Sequence, residues 1–162
     1  NGFVNRRSSV RFRQLAPKKI YSMKLAIASG GFDPLHVGHI ELMVKSREMA
    51  DSLIVIVNND KFLSQKKGKP FMHLNERKII IQSLKPVDIA IESIDNDDTV
   101  CKTLTWIENA YRNKFEDIIF CNGGDRTSGE NTPEHEVCLK IGIEPVYGLG
   151  EKIQSSSWLL NK

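Results

Sequence analysis

With 162 residues, 40% of them hydrophobic and 27% charged, the chain is long enough for one globular domain with a sizeable core and short for two. No apolar run approaches the roughly 18–20 residues that cross a bilayer, which argues against a membrane-spanning helix. The net charge of +3 is unevenly placed: Arg6, Arg7, Arg11, Arg13, Lys18 and Lys19 account for six of the 23 basic residues, so that 17 face 20 acidic residues beyond position 22, a balance of about −3 that does not fit a nucleic-acid-binding domain. Cys101, Cys121 and Cys138 form no CxxC pair, which argues against a disulfide framework or zinc ribbon and fits a reducing cytoplasm.

Residues 1–22 have no sustained apolar periodicity and no acid, and the first methionine of the chain is Met23. The segment reads as a basic disordered leader or extension ahead of a domain over 23–162, with a transit peptide or a basic arm on RNA as competing readings. Residues 23–28 are an apolar run that predicts a short buried strand, and SGGFDPLHVGHI over 29–40 leads from it into a helical pattern from Val37. A strand that ends in Gly30 and Gly31 and opens onto a helix suits phosphate, because the first helical turn has unpaired N–H groups with partial positive charge. His36 and His39 lie three apart on nearly one face of that turn, and Gly38 between them allows close approach to the backbone.

This stretch resembles the HxGH signature of the nucleotidyltransferase superfamily, and its framing as GGFDPLHVGH is most similar to the cytidylyltransferase-like branch, which includes glycerol-3-phosphate cytidylyltransferases and heptose-phosphate adenylyltransferases. The resemblance implies a Rossmann-like three-layer α/β/α fold with a five-stranded parallel sheet. It implies a transferase in which an acceptor's phosphate attacks the α-phosphate of CTP or ATP, giving a nucleoside-diphosphate compound and pyrophosphate. Gly30, Gly31, Phe32, Asp33 and Gly38 would contact the nucleotide, and His36 and His39 would follow charge as it develops. Mg2+ would arrive with the triphosphate, with Asp33 as a helper, since no cage of carboxylates is visible in the sequence. A polyol phosphate or sugar phosphate is the acceptor the family implies, and a homodimer its oligomeric state.

Further along, residues 37–50 predict an amphipathic helix through Ile40, Met43, Val44 and Met49, and LIVIV over 53–57 predicts a central parallel strand. Strand, helix and strand in this order make a right-handed βαβ unit. Residues 58–72 read as a polar loop leaving the ligand-binding edge of the sheet, where Lys66, Lys67 or Lys69 could meet phosphate; Lys66 is the candidate catalytic lysine. A helix is expected over 74–84, in which the family resemblance makes Arg77 a phosphate ligand; an ion pair with Glu76 is the alternative. A strand over 87–91 and a helix over 100–111, capped by Asp97, Asp98 or Thr99, come next.

The strand over 117–121 ends in Asn122, Gly123, Gly124 and Asp125; the glycines permit a close ligand, and the resemblance places a nucleotide contact at Gly123, Gly124 and Asp125. A helix over 132–141 opens with Pro133 and closes at Gly142, and a last strand covers 144–147. Ser155, Ser156 and Ser157 match the hydroxyl run that opens a triphosphate-binding helix in the family, although Gly150 and Glu151 stand where many relatives carry an arginine. That departure, and Asn122 where heptose-type relatives have lysine, keep a second reading open: a catalytically weak or inactive nucleotide-binding module of the same fold. A class I aminoacyl-tRNA synthetase fragment fails on length and on the missing KMSKS-like loop. His73 and His135 read as surface residues, and Trp106 and Trp158 as core rather than base-stacking platforms.

Overall fold

The computed structural model describes residues 22–124, 129 and 131–161. The expected leader therefore lies almost wholly outside the described residues, as does Asp125. The chain runs β1 (Lys24–Gly30), α1 (Val37–Glu48), β2 (Ser52–Val57), α2 (Asp60–Lys67), α3 (Leu74–Gln82), β3 (Ile89–Glu92), α4 (Cys101–Tyr111), β4 (Asp117–Gly123), α5 (Pro133–Ile141), β5 (Glu144–Leu149) and α6 (Ser156–Leu160). All strand pairings are parallel, in the order β3-β2-β1-β4-β5. This is the five-stranded α/β arrangement expected from the sequence.

Both faces of the sheet are covered because the central strands are apolar and buried through their middles, at residues 25–28, 53–57 and 118–121. In β1, Ala26 and Ala28 point into one core with Met43 of α1 and Ile81 of α3, while Leu25 and Ile27 point into the other with Leu104 of α4 and Cys138 of α5. The chain builds outward from β1 to β2 and β3, then returns to β4 on the opposite side of β1. The crevice at such a reversal lies beyond the carboxyl ends of β1 and β4, where doubly wound sheets bind ligands.

Several expectations are corrected. Residues 60–67 are a helix, not a loop: Asn59 accepts the Phe62 N–H, Phe62 and Leu63 are buried, and Gly68 ends the helix at φ +90°. The buried side of α1 is Leu42, Met43 and Ser46, so Ile40, Val44 and Met49 stand outside the core. The N-terminus of α4 is received chiefly by the buried Asp95, which accepts from the N–H groups of Lys102 and Thr103 at 2.7 and 3.1 Å, while Thr99 takes that of Cys101. Trp106 and Trp158 are 48% and 52% exposed, so neither belongs to the core. Among the described residues no helix is long and apolar enough to cross a membrane.

Candidate active site

Gly30 and Gly31 are small for a steric reason. A Cβ on Gly30 would lie 2.8 Å from the Phe32 ring, and one on Gly31 would lie 2.8 Å from Leu63. Phe32, at φ +50°, folds its ring back beneath the turn and sets it edge-on to His39, with centroids 5.0 Å apart. Phe32 is 2% exposed, and its ring acts as a floor for His39.

His36 and His39 cap each other across the first turn of α1. His36 Nδ1 accepts the Gly38 N–H at 3.2 Å, and His39 Nδ1 accepts the His36 N–H at 3.3 Å. The rings stack with centroids 3.7 Å apart. Burial pushes the His36 imidazole below its ordinary range, and burial together with the neighbouring His36 and Lys67 charges pushes His39 down to about 3. Both rings are therefore neutral near pH 7. Because each Nδ1 accepts a backbone N–H, the proton of each ring sits on Nε2. The pair thus presents fixed Nε2–H donors on residues that line the cleft.

Two charged residues singled out from the sequence lie behind this surface. Asp33, 1% exposed, accepts the N–H groups of Phe71 and Met72 at 2.7 and 2.6 Å and pairs with Lys67 at 3.0 Å. Burial opposes its ionisation, but those two N–H groups and the Lys67 ammonium outweigh it and hold the carboxyl below its ordinary range. With its oxygens so engaged, Asp33 ties the turn after β1 to the segment before α3. Arg77 is fully buried and donates to the carbonyls of Met72, Gly31 and Asn58 and to the Asp60 carboxylate, at 2.6–2.9 Å. Its ion pair is therefore with Asp60 and not with the expected Glu76, and the side chain ties the ends of β1 and β2 to α3.

The opposite wall comes from the end of the chain. Ser155 caps α6 by accepting the Trp158 N–H, and Ser156 donates to the Pro34 carbonyl at 2.8 Å, docking α6 beside the start of α1. Ser155 and Ser157 line the cleft with their hydroxyls 3.1 Å apart, whereas Ser156 is used in docking. Gly123 and Gly124 close β4 on this side. A Cβ on Gly124 would collide with the Gly150 carbonyl oxygen, so only glycine fits between the ends of β4 and β5.

These parts enclose one cleft of about 860 Å³ at the carboxyl edge of the sheet. It brings together Gly30, Gly31, His36, Gly38, His39, Lys66, Lys67, Gly123, Gly124, Ser155 and Ser157 from the expected set, and adds Lys152. The two lysines of α2 differ: Lys67 Nζ is held by Asp33, while Lys66 makes no ion pair among the described residues and lies 5.8 Å from the Phe62 ring centre. Lys69 is not among the lining residues. No group of three or more His, Cys, Asp or Glu side chains able to hold a metal occurs among the described residues. His73 is exposed, as expected, but His135 is not isolated: its Nδ1 lies 2.7 Å from the Tyr147 hydroxyl.

Sequence reasoning passed over Asn58, a buried residue of the cleft wall, because an amide after an apolar strand reads as an ordinary turn. The Asn-Asp pair before Phe62-Leu63 and the closing Gly68 were a legible capping signal for α2.

A cytidylyltransferase-like family model matches residues 27–137. The chain is 34% identical over 122 residues to an FAD synthase of Aciduliprofundum boonei, covering 75% of this chain and 74% of that protein. It is 42% identical over 69 residues to a glycerol-3-phosphate cytidylyltransferase of Staphylococcus aureus, covering 43% of this chain and about half, 52%, of that protein. Among solved structures, a lipopolysaccharide core biosynthesis protein from Thermoplasma volcanium superposes with a TM-score of 0.60 at 28% identity, over 78% of this chain and 94% of that one.

Proposed function

The chain belongs to the cytidylyltransferase-like family, and from that premise we propose that it transfers a nucleoside monophosphate from CTP or ATP to a phosphorylated small molecule, a polyol or sugar phosphate, releasing pyrophosphate. One observation carries the reading: the reciprocal cap that fixes His36 and His39 as neutral Nε2–H donors at the N-terminus of α1. An oxygen of the acceptor's phosphate attacks the α-phosphorus. The bond from that phosphorus to the bridging oxygen breaks, and its electron pair leaves with pyrophosphate.

Charge grows on the α-phosphoryl oxygens and on the leaving group as this happens. Preorganised donors aimed there lower the barrier without reorganising, and imidazole N–H groups do so without the desolvation burden of a buried ammonium. Lys66, without a carboxylate partner among the described residues, supplies a positive charge in the cleft, and Ser155, Ser157, Gly123 and Gly124 hold the nucleotide from the other wall. The engaged Asp33 and the lack of a metal-ligand cluster among the described residues fit a magnesium ion carried on the triphosphate rather than by a protein cage. When bound, that ion would neutralise phosphate charge.

One named relative is an FAD synthase and another a glycerol-3-phosphate cytidylyltransferase, so nucleotide and acceptor are both varied in the test. Pyrophosphate release is measured with CTP and with ATP, each against glycerol 3-phosphate, FMN and a set of sugar phosphates. Release that needs both substrates, with one nucleotide preferred, supports the transferase. Nucleotide binding with no release for any acceptor favours the inactive binding module.

A further inference from the structure

Asn58 closes β2 immediately beside the central strand, with its N–H donating to the Gly30 carbonyl at 2.9 Å and its own carbonyl accepting from Arg77 at 2.7 Å. The backbone is thus held on both sides, and the residue is only 6% exposed. Its Oδ1 is buried without a hydrogen-bond partner, alone in this among the side-chain polar atoms of the described residues. Buried polar atoms are almost always paired, and an unpaired acceptor carries a free-energy cost. Asn58 also lines the cleft. The terminal amide torsion of asparagine is broad and roughly two-fold, so the amide can turn toward the cleft without moving the backbone.

Strand order divides the cleft about β1. Gly123, Gly124 and the serines stand on the β4 and β5 side, whereas Asn58, Phe62 and Lys66 stand on the β2 side. If the nucleotide occupies the first, the second is left for the acceptor. Resting on the transferase reading, we propose that Asn58 determines acceptor specificity, and that the acceptor is a phosphate monoester whose carbon chain carries a hydroxyl near the phosphate. Ionised phosphate oxygens accept hydrogen bonds and cannot satisfy Oδ1. An amine could donate, but the Lys66 ammonium, which makes no ion pair among the described residues, disfavours a cationic chain. A hydroxyl remains: it donates to Asn58 while the phosphate meets Lys66 and the carbon chain lies along Phe62 and Leu63.

The test is calorimetric binding to the full chain saturated with an unreactive methylene analogue of CTP or ATP. The probes are glycerol 3-phosphate, FMN and the hydroxyl-free propyl phosphate. At least one hydroxylated ester should bind about 10-fold or more tightly than propyl phosphate. Asn58→Ala should remove that preference and leave analogue affinity unchanged. Asn58→Asp, which keeps the shape and an acceptor oxygen, should keep the preference while weakening every phosphate ester through its added charge. The proposal is overturned if neither hydroxylated ester is preferred, if Asn58→Ala retains the preference, or if that variant loses the analogue instead. If neither nucleotide analogue binds the unaltered chain, the transferase reading itself falls and takes this inference with it, a result visible before any substitution is made.

Discussion

Arg77 donates from α3 to the carbonyl of Gly31, 46 residues earlier, at 2.8 Å. The bond crosses from a helix to the end of the first strand, and the same guanidinium nitrogen also holds the Asn58 carbonyl at 2.7 Å. The turn that carries the histidines is thus braced from below.

Arg77→Ala should therefore act on stability first. It leaves three carbonyls and the Asp60 carboxylate without their donor, at a cost of at least about 3 kcal/mol. For a domain of this size that lowers the melting temperature by roughly 6–12 °C. A variant that melts normally but no longer binds nucleotide would instead make Arg77 a phosphate ligand.

His36→Asn separates capping from catalysis. An asparagine side chain can accept the Gly38 N–H as the imidazole does, so the melting temperature should hold, while the Nε2–H donor is gone. Pyrophosphate release should fall about 100- to 1,000-fold. Equal losses of stability and rate would reduce His36 to a cap.

Stability should depend on pH through His39. Its imidazole titrates near 6.5 when unfolded and near 3 when folded, so between those values the unfolded chain binds the extra proton. The contribution is whole above pH 6.5 and is lost progressively as pH falls toward 3. Urea unfolding at pH 7 and pH 5 should show the unaltered chain losing about 1–2 kcal/mol more than His39→Gln, whose amide can still accept the His36 N–H. Parallel losses in the two proteins would refute this.

The neighbouring lysines should behave differently. Lys66→Ala should leave the melting temperature in place and reduce turnover, since its ammonium makes no ion pair among the described residues. Lys67→Ala frees the buried Asp33 carboxylate of its counter-charge and should lower both stability and turnover. Circular dichroism melts run beside the pyrophosphate assay check the contrast.

The fold was legible because its signals are local. LIVIV could hardly be other than a strand covered on both faces, and Thr132-Pro133 with Gly142 marked both ends of α5. Residues 29–40 announced the site because glycines, histidines and a strand-to-helix junction coincide there. What could not be read was which charged residues face the cleft. Arg77 and Asp33 carry the same chemistry as phosphate or metal ligands, and only their partners, 17 to 46 residues away, show them turned inward. Helix faces failed in part: α1 holds apolar residues on more than one side, and of the Ile40, Met43, Val44 and Met49 that periodicity chose, packing buries Met43 alone and takes Leu42 as its apolar neighbour. The α2 helix was missed because six charged and polar residues surround its two apolar positions and outweigh them in any reading by composition.

Ser156 donates to Pro34 across 122 residues of chain. A ribosome that has released β1, α1 and β2 has already made the histidine turn and its first crossover, yet the wall that faces them is still to be synthesised. Nascent chains carry half of the cleft until α6 has emerged and docked.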